Sequence, residues 1–371
     1  MEKAKVALVH DWLTGRRGGE KVLEVLAEIF PQAPIFTLFH FPRSQVEEIE
    51  KRKVITSFLQ HLPWLRKRYR FYLPLFPLAV ELFNLEDYDL IISSSHCVAK
   101  GIIPHPHSLH ICYVHSPVRY GWNQYFSYFS PEKLNFFSRF LIPPIIHYLR
   151  FWDTASSHRV DYFIANSKNV ASRIEKYYRR PADIIHPPVD TQFFKPGSQS
   201  QTYYLIVSAL VPYKRIDLAV EAFNRIGEKL KIVGQGPEFK KLKKMAGSNI
   251  EFCGSLADDK LLQVYQQAKA LILPGEEDFG ITSLEAQACG IPVIAYGRGG
   301  ATESIVEGLS GLFFPELRVE SLLEALDKFQ AIEFNKTKIR GNALKFSRDK
   351  FKVKLAAYFR RKWQEHQSQN D

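Results

Sequence analysis

Residues 270–304 read A-L-I-L-P-G-E-E-D-F-G-I-T-S-L-E-A-Q-A-C-G-I-P-V-I-A-Y-G-R-G-G-A-T-E-S. The apolar run Ala270 to Leu273 reads as a strand, and Gly275 to Gly280 as a turn rich in carboxylates. Thr282 or Ser283 can cap a helix whose first turn includes Glu285. Gly290-Ile-Pro ends that helix, and Val293 to Tyr296 is the next strand. A strand running through a loop into a helix N-terminus is a natural anion site. The backbone N–H groups of Ile281 to Leu284 and the helix dipole can hold a phosphate.

Glu277 and Glu285 flank this site with seven residues between them. Along a continuous helix that separation is about 12 Å, longer than the roughly 5 to 9.5 Å between the paired carboxylates of a glycosidase. The two glutamates can instead grip opposite ends of an extended ligand with a diphosphate in its middle, as a nucleotide sugar has. The alternative is that Glu285 caps the helix and Glu277 is a solvated loop charge. Spacing alone leaves both open.

The stretch E-D-F-G-I-T-S-L-E-A-Q-A-C-G-I-P-V resembles the E-x7-E signature of family 4 retaining glycosyltransferases, which have the GT-B fold. The match includes both glutamates, the F-G between them and the E-A-x-A-x-G-x-P-V tail. The resemblance implies that Glu277 approaches the donor sugar and Glu285 the ribose. It sets the backbone of Gly280, Ile281 and Thr282 near the diphosphate.

Working outward, 371 residues suffice for two domains of ordinary size, and 46% hydrophobic content supports full cores. The four cysteines, Cys97, Cys112, Cys253 and Cys289, form no C-x-x-C pair and read as reduced thiols, which suits a cytoplasmic location. M-E-K-A-K-V-A-L-V-H enters a strand without a signal-peptide pattern, and no run of 18 apolar residues exists. The net charge is +11 and is concentrated in two stretches. Residues 51–180 hold 18 Lys/Arg against 8 Asp/Glu, and residues 336–371 hold 11 against 3. Such stretches suit nucleic acid, an anionic membrane surface or phosphorylated ligands. No nucleic-acid module is visible, so nucleic acid is not an expected partner.

In the first half, Lys5 to His10 reads as a buried strand. A helix follows from about Glu20 to Phe30, with Val22, Val25, Leu26 and Ile29 on one face. Gly15, Gly18 and Gly19 open the turn between them, where glycine lets a ligand approach the backbone. In the resembled family a G-G loop at this place faces the donor phosphates, which assigns that role to Gly18 and Gly19. Leu109 to Val114 is a strand ending in His115-Ser-Pro-Val-Arg-Tyr. A histidine at the carboxyl end of a parallel strand points into a ligand crevice. Y-V-H-S-P-V-R-Y-G-W resembles a segment of mannosyltransferase-like members that build bacterial surface polysaccharides, and it implies that His115 reaches the donor sugar. Arg119 is a further phosphate or acceptor candidate. Asp87-Tyr88-Asp89 contains a D-x-D but sits at a strand entrance and reads as structural. His105, His107 and His110 are interleaved by Pro104 and Pro106, a poor arrangement for zinc. No metal or other cofactor is expected.

Residues 58–83 interleave aromatic, aliphatic and basic side chains and are broken by Pro63, Pro74 and Pro77. They fit a membrane interface, with Phe58, Trp64, Tyr69, Phe71 and Phe76 beside Arg66, Lys67, Arg68 and Arg70. They fit a core helix pair with a basic outer face as well. Residues 134–152 are again aromatic and apolar.

The second half opens with a strand from Tyr203 to Ser208 and then A-L-V-P-Y-K-R-I-D. In the resembled family a basic pair near this turn neutralises the diphosphate. Lys214 matches its second member, whereas Ala209 stands where the first, an arginine, is usual. Arg215, or Arg17 of the first half, is the candidate to compensate.

Strands alternate with helices throughout, which predicts parallel α/β sheets. The expected architecture is GT-B, two Rossmann-like domains facing a cleft. Residues 1–196 form an acceptor-binding domain, 203–345 a nucleotide-sugar-binding domain, and 346–371 a helix packing back on the first. The expected activity is retaining transfer of a hexose from GDP-mannose or UDP-glucose to a glycan or lipid-linked acceptor in polysaccharide synthesis, at the cytoplasmic face of the membrane. Glu277, His115 and Lys214 are the catalytic candidates. Gly18, Gly19, Arg215, Gly280, Ile281, Thr282 and Glu285 are the donor-binding ones. A catalytically weak nucleotide-sugar-binding protein of the same fold is the alternative.

Overall fold

The computed structural model describes residues 4–129, 135–198 and 200–370, so Met1–Lys3, Leu134 of the second apolar segment and Gln199 of the polar linker lie outside the described residues. The chain divides into two compact units, residues 1–186 with 351–371, and residues 187–350. The crossing at His186/Pro187 precedes the Ser/Gln-rich stretch at which the sequence suggests a boundary. Residues 187–196 pack with the second unit instead. Phe194 is buried in its core, and Arg340 donates to the carbonyls of Thr191 and Phe194.

The first unit is built on a seven-stranded parallel sheet of β1 (Val6–His10), β2 (Ile35–Thr37), β3 (Val54–Thr56), β4 (Leu90–Ser95), β5 (Leu109–Val114), β6 (Tyr162–Ala165) and β7 (Asp183–Ile184). The spatial order is β3-β2-β1-β4-β5-β6-β7. Alternation along β1 sends Leu8 to one face and Ala7 and Val9 to the other. Leu8 meets the 18–29 helix through Val22, Leu23, Val25 and Leu26, and also Phe351, Leu355, Phe359 and Trp363 of the C-terminal helix. That helix runs from Arg348 to Asn370, so its polar end stays helical. Asp89 accepts a hydrogen bond from the Lys5 N–H at 2.8 Å, which gives the D-x-D a structural use at the start of β1.

Ala7 and Val9 face a second layer formed by residues 58–82 and by Trp152 of the 136–156 helix. Residues 58–83 divide between the two readings the sequence permits. Leu59, Leu65 and Phe76 are buried under this layer, whereas Phe58, Trp64 and Phe71 are exposed. Phe76 therefore belongs to the core, and Tyr69 is half-buried against Trp12 and Phe39.

The second unit has a six-stranded parallel sheet of β8 (Tyr203–Val207), β9 (Leu230–Val233), β10 (Ile250–Gly254), β11 (Ala268–Leu273), β12 (Val293–Tyr296) and β13 (Gly311–Phe314), in the order β10-β9-β8-β11-β12-β13. Ile206 and Ile272 face one apolar layer, while Leu205, Leu271 and Leu273 face the other. In each sheet the strand order reverses beside the first strand, between β1 and β4 and between β8 and β11. Open α/β sheets bind ligands outside the carboxyl ends of the strands at that reversal.

Candidate active site

In the second unit the reversal point carries the stretch that opens the sequence argument. β8 leads to a turn of 3₁₀ helix, Pro212–Lys214, and β11 leads to the 274–280 loop and the 281–288 helix. The Lys214 ammonium donates to Oε2 of Glu277, bringing together two residues 63 positions apart. Glu277 is only 8% exposed, so it is no solvated loop charge.

Two glycines make this juxtaposition possible. A Cβ on Gly275 would lie 2.5 Å from the Tyr213 carbonyl oxygen and 2.7–2.8 Å from Lys214 backbone atoms. A Cβ on Gly300 would lie 2.1 Å from the Asp278 carbonyl oxygen, and the Gly300 N–H donates to the Glu277 carbonyl at 2.8 Å. The carboxylate loop is held between two backbones at van der Waals distance.

The helix starts two residues earlier than capping by Thr282 requires and three earlier than capping by Ser283. Gly280 is the N-cap, with φ 86°, a left-handed conformation that glycine adopts without steric cost. Ser283 lies in the first turn, where its hydroxyl donates to the Gly280 carbonyl at 2.7 Å and its N–H to the same oxygen at 2.9 Å. Of the four N–H groups expected to be available, that of Ser283 is thus engaged. Those of Ile281 and Thr282 meet no acceptor among the described residues. Because Glu277 sits on the loop and the helix spans only Ile281–Ala288, the two glutamates are not spaced along one straight helix.

Glu285 points inward, 3% exposed, and accepts a hydrogen bond from the Tyr265 hydroxyl at 2.8 Å. Burial, and then the Glu285 charge, push the Tyr265 phenol far above its ordinary range. Arg215, with φ 49°, directs its guanidinium to Asp217 at 3.2 Å. It is engaged locally and does not join Lys214 and Glu277, so the position of Ala209 has no replacement cation from Arg215. Gly234 and Gly236, in the turn after β9, pack against the backbones of Ser208 and Leu210, where a Cβ would collide.

In the first unit the reversal point gathers His10 and Asp11 at the end of β1, Ser94 and His96 at the end of β4, and His115 after β5. His115 Nε2 lies 2.8 Å from the Ser94 hydroxyl, which is 3.2 Å from His10 Nδ1. Gly18 and Gly19 are the first residues of the 18–29 helix, two earlier than the apolar periodicity suggests. A Cβ on Gly19 would come within 3.5 Å of both His10 and His115. Burial, and next the neighbouring His96 and His10, depress the His115 pKa well below the usual imidazole range. His10 is lowered to about 4, chiefly by burial. Both rings are therefore neutral near pH 7.

Asp11 is fully buried and accepts from the N–H groups of His96, Cys97, Val98 and Ala99, and lies 3.0 Å from His96 Nδ1. Burial opposes its ionisation, but the charge and hydrogen bonds of His96 outweigh it and hold the carboxyl below its ordinary range. His10, Asp11, Ser94 and His96 escape a motif search, although they lie at or just past the carboxyl ends of two buried strands, in H-D and S-S-S-H. His110, by contrast, points into the core and bonds Ser93 and the Arg159 carbonyl, apart from the His105 and His107 rings. Among the described residues no group of His, Cys, Asp or Glu is arranged to hold a metal.

Comparison with known proteins bears on the family and the fold. Residues 188–346 match the family model "Glycosyl transferases group 1", and residues 16–193 match "Glycosyltransferase Family 4". A D-inositol 3-phosphate glycosyltransferase of Mycobacteroides abscessus is 31% identical over 193 residues, covering 45% of this chain and 43% of the relative. An uncharacterised glycosyltransferase of Methanocaldococcus jannaschii is 27% identical over 171 residues, covering 45% and 48%. The chain thus spans less than half the length of these curated relatives. Among solved structures, sucrose-phosphate synthase from Thermosynechococcus elongatus superposes with a TM-score of 0.75 at 17% identity, covering 97% of this chain and 99% of that one. HepE from Anabaena in complex with UDP-glucose gives a TM-score of 0.68 at 18% identity over 95% and 99%. The fold is that of the GT-B glycosyltransferases. With one family model on each unit, from residue 16 to residue 346, the chain belongs to the group 1, family 4 glycosyltransferases.

Proposed function

We propose that the protein transfers a hexose, with retention, from a nucleoside-diphosphate sugar to a glycan or lipid-linked acceptor in surface polysaccharide synthesis. The observation that carries this reading is the Lys214–Glu277 pair beside the unbonded N–H groups of Ile281 and Thr282. In this reading they supply two donors and a cation to a diphosphate leaving group as it gains charge. Such preorganised donors act most strongly in a buried setting. Glu277 reaches the departing sugar, Glu285 holds the ribose, and neutral His115 with Gly18 and Gly19 contacts the donor. The bond from the sugar C1 to the phosphate oxygen breaks as the acceptor oxygen bonds C1, and the acceptor proton passes to the departing phosphate.

GDP-mannose and UDP-glucose are the first donors to try. The likeness to HepE, solved with UDP-glucose, supports including the second. A lipid-linked acceptor would bring the protein to the cytoplasmic face of a membrane. The test is nucleotide release on mixing purified protein with each donor and candidate acceptors. Release with at least one donor is the expected result, and silence with every common donor would remove the enzymatic reading. One observation favours the weaker alternative, a nucleotide-sugar-binding protein. Ala209 supplies no cation, and Arg215 is held by Asp217. Saturable donor binding without release would establish that alternative.

A further inference from the structure

The 136–156 helix carries apolar residues on both of its sides. Its inner side is fixed to the first unit. Trp152 lies in the apolar layer with Leu65, Phe76 and Val80, and its Nε1 donates to Glu81 at 2.8 Å. Asp153, 1% exposed, pairs with the buried Lys100 at 3.0 Å and accepts from Trp122 Nε1 and the Tyr178 hydroxyl. The helix cannot roll to hide its other side.

That other side is exposed and apolar. Phe136, Phe137, Phe140 and Leu141 are 61–75% exposed, and Tyr148 and Phe151 continue the row. At 100° per residue these positions share an arc of about 140°, and from 136 to 151 they run for about 23 Å. His147 is the one polar side chain within the arc. An ordinary surface helix presents charge outward, so this side is made for an apolar neighbour.

We propose that this neighbour is the interfacial zone of an anionic bilayer, into which the outward row of the 136–156 helix inserts. Three observations select lipid. The first is charge. Residues 51–152, which include this layer over the sheet, hold 12 Lys/Arg against 5 Asp/Glu, and of the acidic residues Glu81 is paired with Arg159. Two copies meeting on such a surface would bring like charges together, whereas anionic headgroups complement it. The second is continuity. Trp64, Phe71, Leu78 and Leu82, from the other half of this layer, are exposed as well, interspersed with Arg66, Lys67, Arg68 and Arg70. Basic and large apolar residues on one surface are the composition of an interfacial anchor. The third is depth. Pro144 carries no N–H, so the Phe140 carbonyl receives no helical bond from it. A carbonyl that loses its helical bond is excluded from hydrocarbon but is hydrated among headgroups. No helix among the described residues is long and apolar enough to cross a membrane. The helix therefore lies in the surface.

The surface stands on its own geometry, whatever the donor. The experiment is co-sedimentation of the full chain with phosphatidylcholine vesicles, with and without phosphatidylglycerol. It compares wild type with the quadruple variant Phe136→Ser, Phe137→Ser, Phe140→Ser and Leu141→Ser. All four side chains are exposed, so the variant is expected to fold, which thermal melting verifies. Wild type should bind the anionic vesicles and keep part of that binding in high salt. The variant should lose at least tenfold in partitioning. In Phe140→Trp, fluorescence beyond the wild-type background should be quenched by lipid brominated near the headgroup end of the chains. Equal binding by the quadruple variant would overturn the proposal. So would a wild type that ignores vesicles but self-associates with concentration in a way the variant abolishes, because the occupant would then be a second copy. Should the quadruple variant melt far below wild type, the Phe140→Trp quenching decides instead, and its absence overturns the proposal. Vesicle binding without nucleotide release would sink the transferase reading and leave this one standing.

Discussion

The Lys214 ammonium is bonded to the Glu277 carboxylate, and both side chains are largely withdrawn from solvent. Removing one takes a charged partner from the second in a poorly solvated place. Lys214 comes from the turn after β8 and Glu277 from the loop after β11, strands that pair in parallel at the reversal of the sheet order.

Glu277→Ala is expected to lower transfer by about a hundredfold or more, the usual loss when a preorganised electrostatic contact is removed. Lys214→Ala should match it, and the double variant should fall little further, because the two act as a unit. Steady-state nucleotide release measures all three. Turnover of Glu277→Ala above about a tenth of wild type would contradict the role of this pair, that bound resting on the same principle.

Gly275→Ala tests the same pair without touching either charge. The added methyl meets the Tyr213 carbonyl oxygen and the Lys214 backbone, none of which is a flexible side chain able to swing aside. Overpacking of this kind costs about 1–3 kcal/mol. The variant should melt at lower temperature and should lose turnover in proportion to the displacement of Lys214. A melting point and kcat equal to wild type would show that the loop does not need this approach.

Glu285→Ala should weaken free nucleotide and nucleotide sugar alike, since the residue is assigned to the ribose. Tyr265→Phe removes a hydroxyl that orients Glu285 and should produce a smaller loss of the same kind. A deleted hydrogen bond to a buried charged group is worth about 1–3 kcal/mol. Isothermal titration with nucleotide alone separates the cases. Normal nucleotide affinity with lost sugar discrimination would exchange the roles of the two glutamates.

Why some of this is legible in sequence and some is not follows from range. The alternation of apolar runs with helical periodicity reports local burial, and it yields both parallel sheets. The 270–304 stretch is contiguous, so its strand, loop and helix can be read directly. Gly280 as the cap is not apparent, because the left-handed turn is a backbone conformation that Thr282 and Ser283 conceal by looking like better caps. Lys214 and Glu277 are each identifiable, but their bond needs the parallel pairing of β8 with β11, which no local pattern encodes. The His10, Asp11, Ser94 and His96 cluster is assembled by β1 lying beside β4. The position of 187–196 in the second unit depends on Arg340, far along the chain. Phe76 and Phe71 show the same limit. They are five residues apart in one aromatic run, yet one is core and the other is among the most exposed side chains.

The first unit's histidines set its response to acid. His10 and His110 have folded pKa values near 4 against an ordinary value of 6.5, each lowered chiefly by burial. A histidine held neutral in the fold binds fewer protons than it does unfolded. Its contribution is fully present above pH 6.5 and declines as pH falls from there toward 4, where the unfolded chain gains a proton that the fold refuses. Asp11 has the opposite chemistry but the same sign. Its carboxyl is depressed, so its contribution is present above the unfolded value of 3.8 and is lost below it. Stability should therefore fall in two stages, first from pH 6.5 to 4 through the histidines and then below 4 through Asp11. Thermal melting from about pH 2 to 7.5 measures this. His110→Gln keeps a polar group for Ser93 and the Arg159 carbonyl but removes the titration. It should lower the melting temperature at pH 7 while flattening the slope between pH 6.5 and 4. An unchanged slope in that variant would mean that His110 carries its proton in the folded state, contrary to its burial between β4 and β5.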